Sequence, residues 1–244
     1  MRDYTNLFRD TRMTMKKLLT LSVAAVFLLG FNTLSQATPF ISTVPSWDGV
    51  SALVPFGEPN TSTFGQTFTV TGSETVLDNF TFYLDDHLNP DFVDFEAYVY
   101  TWNGSQATGS ALYGSGPMST TNNGGSDGME TISINTGGVS LASGNQYVAF
   151  LSASNLFDTI AGTAGMGFIM GDAYALGDLV YDNNGGDFSL LTTSAWSEDG
   201  WGTDAAFTMS FSEDAPPVPE PATMLLLGGG LAGLAGIRRR ARSI

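Results

Sequence analysis

The sequence predicts an all-β protein: a two-sheet antiparallel β-sandwich of jelly-roll-like topology, flanked by an N-terminal signal peptide and a C-terminal transmembrane sorting helix. Three observations carry that prediction. Apolar residues in the interior repeat with period two rather than 3.6, which places them on one face of half-buried strands. Clusters of Gly, Asn, Ser and Asp separate those runs at positions that suit tight turns. No interior stretch has the spacing of a long amphipathic helix.

At the amino end, Lys16-Lys17 precede an apolar run from Leu18 to Leu29, and Ser35-Gln36-Ala37 place small residues where a signal peptidase reads. This is the three-part layout of a secretory signal peptide over residues 1–37, with Sec export and cleavage after Ala37 expected. The apolar run is shorter than the ~20 residues of a membrane span, which disfavours a permanent anchor or a core helix. Met1 to Arg12 carry three Arg and two Asp ahead of the signal; a start at Met13 or Met15 gives a signal of ordinary length.

The domain expected over residues 38–214 is read strand by strand. Phe64, Gln66, Phe68 and Val70 share one face, with Thr67 and Thr69 on the other. Phe80, Phe82 and Leu84 alternate with Thr81 and Tyr83, and Val93, Phe95, Ala97 and Val99 alternate with Asp94, Glu96, Tyr98 and Tyr100. Ile132 and Ile134, then Val148 and Phe150, then Phe207, Met209 and Phe211 continue the series. Turns are expected at Thr71-Gly72-Ser73, Asn103-Gly104-Ser105, Thr136-Gly137-Gly138, Ser143-Gly144-Asn145 and Asp182 to Asp187. The segment holds 25 of the chain's 29 aromatic residues, enough apolar material for one core.

Residues 215–221, Ala215-Pro216-Pro217-Val218-Pro219-Glu220-Pro221, form a Pro-rich linker that can continue neither helix nor sheet. Residues 222–237 follow without a charge, and residues 238–244 form a basic tail with Arg238, Arg239, Arg240 and Arg242. Sixteen helical residues would span about 24 Å, slightly short of a ~30 Å hydrocarbon layer, and the Arg cluster places the tail in the cytoplasm by the positive-inside rule. Val218-Pro219-Glu220-Pro221, an apolar Gly-rich helix and a terminal Arg cluster, in that order, resemble the PEP-CTERM sorting signal of Gram-negative bacteria. The resemblance covers about the last 27 residues. It implies recognition of Pro219-Glu220-Pro221 by an exosortase, a membrane-embedded Cys protease that cleaves near the motif, and an association with extracellular polysaccharide and biofilm. A permanent single-span anchor is the other reading of the same helix. The stretch from Phe64 to Ser154 is also similar to uncharacterised extracellular domains carried by PEP-CTERM proteins, a likeness that implies no activity.

Charge and composition remove several classes of chemistry. The chain has 9 Lys plus Arg against 24 Asp plus Glu, a net charge of -15, and every basic residue lies in the two ends. Thr38 to Asp214 contain 21 acids and neither Lys nor Arg, so the domain has no footprint for nucleic acid. The absence of Cys excludes disulfides, thiolate catalysis and Cys-ligated zinc. His87 is the sole His, and no Gly-x-Ser-x-Gly elbow accompanies it, so no catalytic residue is assigned and the expectation is that the protein is not an enzyme.

Two binding chemistries remain. A hard cation takes oxygen ligands, which makes Asp182, Asn184 and Asp187 a candidate calcium loop, although the same composition makes an ordinary turn, the simpler reading. Asp85, Asp86, Asn89, Asp91 and Asp94 form a second acidic cluster of the same kind. Sugar rings stack on exposed aromatics, and Trp102 and Trp201, in or beside polar Gly-rich segments, are the candidate platforms, with core packing as the competing use of each ring. No cofactor is expected beyond a structural calcium. The expectation is an exported, exosortase-processed component of the cell surface or extracellular matrix, with a non-enzymatic sandwich that associates with exopolysaccharide. Its partners would be signal peptidase, the Sec translocon, an exosortase-like protease and extracellular polysaccharide. A carbohydrate-active enzyme with an Asp/Glu pair and a calcium-stabilised adhesive module are the alternatives.

Overall fold

In a computed structural model, the described residues are 40–86, 92–121, 128–198 and 202–214. They form two antiparallel sheets with three short 3₁₀ turns and no α-helix among the described residues. The signal peptide, its cleavage point Ala37, His87, Trp201, the Val218 to Pro221 motif, the apolar helix and the Arg cluster all lie outside the described residues.

The first sheet contains β1 (Phe40–Ser42), β13 (Phe207–Ser212), β4 (Val76–Asp86), β9 (Gly162–Ile169) and β12 (Asp204–Ala205) in that order, with β7 (Glu130–Ser140) beside β4 and β2 (Ala52–Glu58) beside β9. The second runs β11 (Ser197–Glu198), β10 (Leu179–Asp182), β3 (Thr63–Thr69), β8 (Gln146–Ser152), β5 (Asp94–Trp102) and β6 (Ala107–Ser119). The predicted alternation holds on β3, β4, β5, β7 and β13, whose inward residues, among them Phe68, Phe80, Phe82, Phe95, Ile132 and Phe207, form the central core between the sheets.

Two expectations need correction. The face of β5 that carries Tyr98, Tyr100 and Trp102 was expected to be polar, but it is packed under a second core. The segment from Phe188 to Trp196 folds back over the outer face of the second sheet, and Tyr100, Trp102, Val148, Phe150, Val180, Leu191 and Trp196 are buried there. Val148 and Phe150 therefore belong to this outer layer, while Tyr147, Ala149 and Leu151 face the central core. With both faces covered, β8 is a nearly continuous buried run. The second correction concerns Thr136-Gly137-Gly138, which is not a turn. It lies inside β7, where Gly137 and Gly138 take φ of 71° and 90° and the register against β4 shifts, a glycine-dependent bulge.

The pairing registers define two poles. β1 enters and β13 leaves at the same end, since Phe40 pairs with Ser210 and Ser212 with Val76. This terminal pole also holds the connections 70–75, 103–106 and 141–145. At the opposite pole β4 ends and β9 begins, with Asp86 against Ala164, and β2 ends with Glu58 against Gly162.

Candidate functional site: a cleft at the pole opposite the chain ends

The opposite pole carries a shallow, open cleft. Its walls are the end of β2 (Glu58), the start of β5 with the residues before it (Phe92, Val93, Asp94), and the segment 153–162 that joins β8 to β9 (Ala153, Leu156, Phe157, Asp158, Ile160, Gly162). It encloses only about 10 Å³, room for a water molecule and far below a pocket that encloses a small molecule, so a ligand could meet it only as a surface. Phe92 and Ile160 leave about half their area exposed (48% and 52%), an apolar offering next to carboxylates.

The cleft is built by backbone pinning. Glu58 Oε2 accepts from the Asp158 N–H at 2.9 Å and Oε1 from the Thr159 N–H at 2.9 Å, so one carboxylate holds two successive amides of the long connection. Asp158 Oδ1 accepts from the Ile160 N–H at 2.8 Å. Between them Thr159 takes φ of 80°, the one non-glycine residue in that region among the described residues. Such a conformation persists where surrounding bonds over-determine it, which the Glu58 clamp does here. Glycine is required just below at Gly57, where φ is 117° and a Cβ would run into the Gly162 carbonyl.

A second polar group extends from the cleft along the outer face of β5. Tyr98 OH donates to Glu96 Oε2 at 2.5 Å, and Asn155 Nδ2 donates to the same oxygen at 2.9 Å. Burial, together with the bond to Glu96 and its charge, pushes the Tyr98 phenol well above its ordinary range, so it remains a donor. Asp94 Oδ1 accepts from Ser119 Oγ, and Asp86 Oδ2 accepts from Thr120 Oγ1 at 2.5 Å, whose oxygen accepts the Val93 N–H at 2.9 Å. The described residues include no Lys, Arg or His, so the hydrogen bonds of these carboxylates come from amides and hydroxyls, and Asp86 Oδ1 is buried without one.

The residues singled out from sequence are placed as follows. Trp102 is 6% exposed and meets Trp196 edge-on at 5.4 Å, so its ring belongs to the outer core and presents no platform to a sugar. Trp196 is fixed in turn by donating from Nε1 to the Leu191 carbonyl at 2.9 Å. In the proposed calcium loop, Asn184 Oδ1 accepts from Ser62 Oγ at 2.6 Å and Thr63 Oγ1 at 3.0 Å, and Nδ2 donates to Ser154 Oγ at 2.6 Å and the Asp187 carbonyl at 3.1 Å. Asp187 Oδ1 caps the following 3₁₀ turn by accepting from Ser189 N at 3.0 Å and Oγ at 2.6 Å. Asp182 is partly buried, its carboxyl pushed upward by desolvation. These oxygens organise the loop, and among the described residues no three His, Cys, Asp or Glu side chains converge as a metal centre would need. In the second acidic cluster, Asn89 and Asp91 lie outside the described residues, and Asp94 is the member that lines the cleft.

The described residues thus form an acidic all-β domain with a cleft at one pole and Phe40 and Ser212 at the other. Beyond the described residues, 217–240 match the model of the PEP-CTERM protein-sorting motif. The match takes in Val218, Pro219, Glu220, Pro221 and the Arg238 to Arg240 cluster, as their resemblance indicated. The motif implies export and processing by a membrane exosortase after a membrane-anchored intermediate. No curated protein matches the chain. Among solved structures, it is similar to the cysteine protease and lectin-like domains of Cwp84, a surface layer associated protein of Clostridium difficile, with 10% identity, a TM-score of 0.41, and coverage of 64% of this chain and 32% of that one. The clostridial cysteine protease Cwp84 after propeptide cleavage gives 11% identity, a TM-score of 0.46, and coverage of 72% and 40%. The chain thus spans about a third to two fifths of the length of those structures.

Proposed function

We propose that this protein is a non-enzymatic component of the cell surface or extracellular matrix, whose sandwich associates with exopolysaccharide in biofilm through the cleft at the opposite pole. The observation that carries this reading is the pairing of exposed Phe92 and Ile160 with Asp94 and Asp158 in one shallow, open depression. Sugars present apolar C–H faces edged by hydroxyls, and flat apolar area beside a few oxygen acceptors is the chemistry that holds them. A domain without Lys or Arg offers nothing to anionic groups, so neutral or amine-bearing glycans fit it better than uronate polymers. Glu58 has both oxygens engaged by backbone amides, which supports a structural rather than a proton-transferring role for it.

On a glycan array, the full chain is expected to retain neutral or amino-sugar polymers and leave them uncut. Release of reducing sugar that is abolished by Asp94→Asn or Asp158→Asn would replace this reading with a glycoside hydrolase. The sorting step has its own test. Changing Pro219, Glu220 and Pro221 together to Ala is expected to leave the chain membrane-bound at its precursor mass; a processed mass and location identical to wild type would contradict exosortase recognition of the motif.

A further inference from the structure

We propose that Asn103 is a site of self-modification, at which the side-chain amide closes on the Gly104 nitrogen as a cyclic imide and opens in water to aspartate and isoaspartate. Asn103 and Gly104 lie in the tight turn between β5 and β6, and both are exposed. Several donors converge on one atom there: Asn103 Oδ1 accepts from the Ser105 N–H at 3.0 Å, the Gln106 N–H at 3.0 Å and Ser105 Oγ at 3.1 Å. Amides and a hydroxyl aimed at a carbonyl oxygen polarise its carbon, and they are already in place to hold the negative charge that the oxygen takes up when that carbon is attacked. The attacking nitrogen is the next along the chain, so the ring that closes is small and the reaction needs no encounter. Gly104 has φ of 96°, and a Cβ added there would meet nothing within 4 Å, so no neighbour crowds that nitrogen from the side-chain direction.

The same donor pattern recurs at Asp48, where its effect on an oxygen can be read. Asp48 Oδ1 accepts from the Val50 N–H at 2.9 Å and the Ser51 N–H at 2.7 Å, Oδ2 accepts from Ser51 Oγ at 2.5 Å, and Gly49 follows with φ of 82°. The Ser51 hydroxyl, then the Ser51 and Val50 amides, hold the Asp48 carboxyl below its ordinary range, so this cradle favours negative charge on the group it holds. An ionised carboxylate resists attack, whereas the neutral Asn103 amide is open to it. Asn184-Gly185 is the same dipeptide in the opposite setting. Its amide is 5% exposed, with Oδ1 held by Ser62 and Thr63 and Nδ2 held by Ser154 Oγ and the Asp187 carbonyl.

The atoms balance with water alone. The Gly104 nitrogen bonds to Asn103 Cγ, its proton passes through water to Nδ2, and the Cγ–Nδ2 bond breaks to release ammonia. Water then opens the imide. Hydrolysis at Cγ leaves aspartate on an intact backbone, while hydrolysis at the main-chain carbonyl gives isoaspartate and lengthens the backbone by a methylene. That turn anchors the outer layer, because the Ser105 carbonyl accepts from the Trp196 N–H at 2.8 Å and Gln106 Nε2 donates to the Thr192 carbonyl at 2.6 Å. The isoaspartate form therefore loosens the cover over Trp102.

Asn103 and Asn184 can be followed together in the full folded chain, held at neutral pH and physiological temperature, by peptide mass spectrometry that locates each amide-to-acid change and by enzymatic methylation of isoaspartate. Residues 38–214 contain neither Lys nor Arg, so an acid-directed protease supplies the peptides. Conversion at Asn103 is expected to run about tenfold faster than at Asn184 or more, the effect of an oxyanion donor discounted for exposure to water. In denaturant, where both dipeptides lose their surroundings, the two rates are expected to meet. Ser105→Ala, an exposed change that removes the hydroxyl donor, is expected to slow conversion at Asn103 severalfold while leaving the melting temperature unchanged. Conversion at Asn103 no faster than at Asn184 overturns the proposal, as does a ratio that persists in denaturant. A rate unaltered by Ser105→Ala overturns the cradle as its cause. The separated isoaspartate form is expected to melt below the unmodified protein, and equal melting overturns the link to the outer layer. No saccharide enters the experiment, so its outcome is independent of the saccharide reading.

Discussion

Asp204→Ala is expected to lower the unfolding free energy by about 2–4 kcal/mol, from the loss of three hydrogen bonds to one carboxylate. Asp204 is 1% exposed on β12, in the first sheet. Its Oδ1 accepts from Gln66 Nε2 at 2.8 Å, and its Oδ2 accepts from the Ala173 and Tyr174 N–H groups at 2.8 Å each. Gln66 lies on β3 of the second sheet and closes the clamp by accepting the Ala205 N–H at 2.8 Å on Oε1. Truncation removes the acceptor of Gln66 Nε2 and of the Ala173 and Tyr174 N–H groups and cuts the polar tie between the sheets. Asp204→Asn keeps the volume but turns an amide N–H toward other donors, so it should lose less than Ala yet remain destabilised.

Burial pushes the Asp204 carboxyl up to about 6, against the three hydrogen bonds that pull it down. Its folded value thus lies above the unfolded one near 3.8. Between those values the native state keeps a proton that the unfolded chain has released, so the contribution is full below about pH 4 and is lost as pH rises through 6. Two units correspond to about 2–3 kcal/mol. Chemical denaturation from pH 4 to pH 7 should show the wild type losing more stability than Asp204→Asn, the comparison cancelling the repulsion among the other acids. Parallel profiles would refute this account of Asp204.

Asn184→Ala is the second large effect, expected at about 2–4 kcal/mol. The amide is 5% exposed and sits among Ser62, Thr63 and Ser154, with Ser152 joined through Thr63 Oγ1 at 2.8 Å. Removing it takes a partner from three hydroxyls on two segments, Ser62 and Thr63 on one and Ser154 on the other, each lost bond costing on the order of 1 kcal/mol. The loss should be equal in calcium and in chelator, because the Asn184 oxygen is already taken by two hydroxyl donors. A rise in wild-type melting temperature with calcium, absent in Asn184→Ala, would restore the cation reading of Asp182, Asn184 and Asp187.

These two clamps also show what the sequence did and did not disclose. Gln66 fell in an apolar period between Phe64 and Phe68, and that position was correct: it points into the core, where Asp204 waits 138 residues away. Nothing local to Asp204 announces such a partner. Tyr98 and Tyr100 were read on the polar face of their strand, and Trp102 was left between a sugar platform and the core, because alternation reports only that two faces differ. The cover supplied by Leu191 and Trp196 comes from a segment whose own pattern is too short to read. Gly-rich β9 alternates small residues up to Gly167 and has its aromatic and branched aliphatic pair only at Phe168 and Ile169, and two-residue β12 has neither kind, so neither strand is visible by pattern. The cleft is discontinuous, drawing Glu58 from the end of β2, Asp94 from the start of β5 and Asp158 from the connection 153–161, so the acidic run around Asp94 was its one legible trace. The sorting tail, by contrast, is linear in sequence and was legible in full, from Val218 to Arg240.

The central claim, that the cleft holds a saccharide, is tested most directly by titrating polysaccharide fragments against wild type and a Phe92→Ala/Ile160→Ala double variant. Both side chains are about half exposed (48% and 52%), so their loss should leave the melting temperature nearly unchanged. Removing the apolar contact should weaken binding by about tenfold or more, equivalent to ~1.4 kcal/mol. Wild-type affinity retained in a folded double variant would contradict the claim.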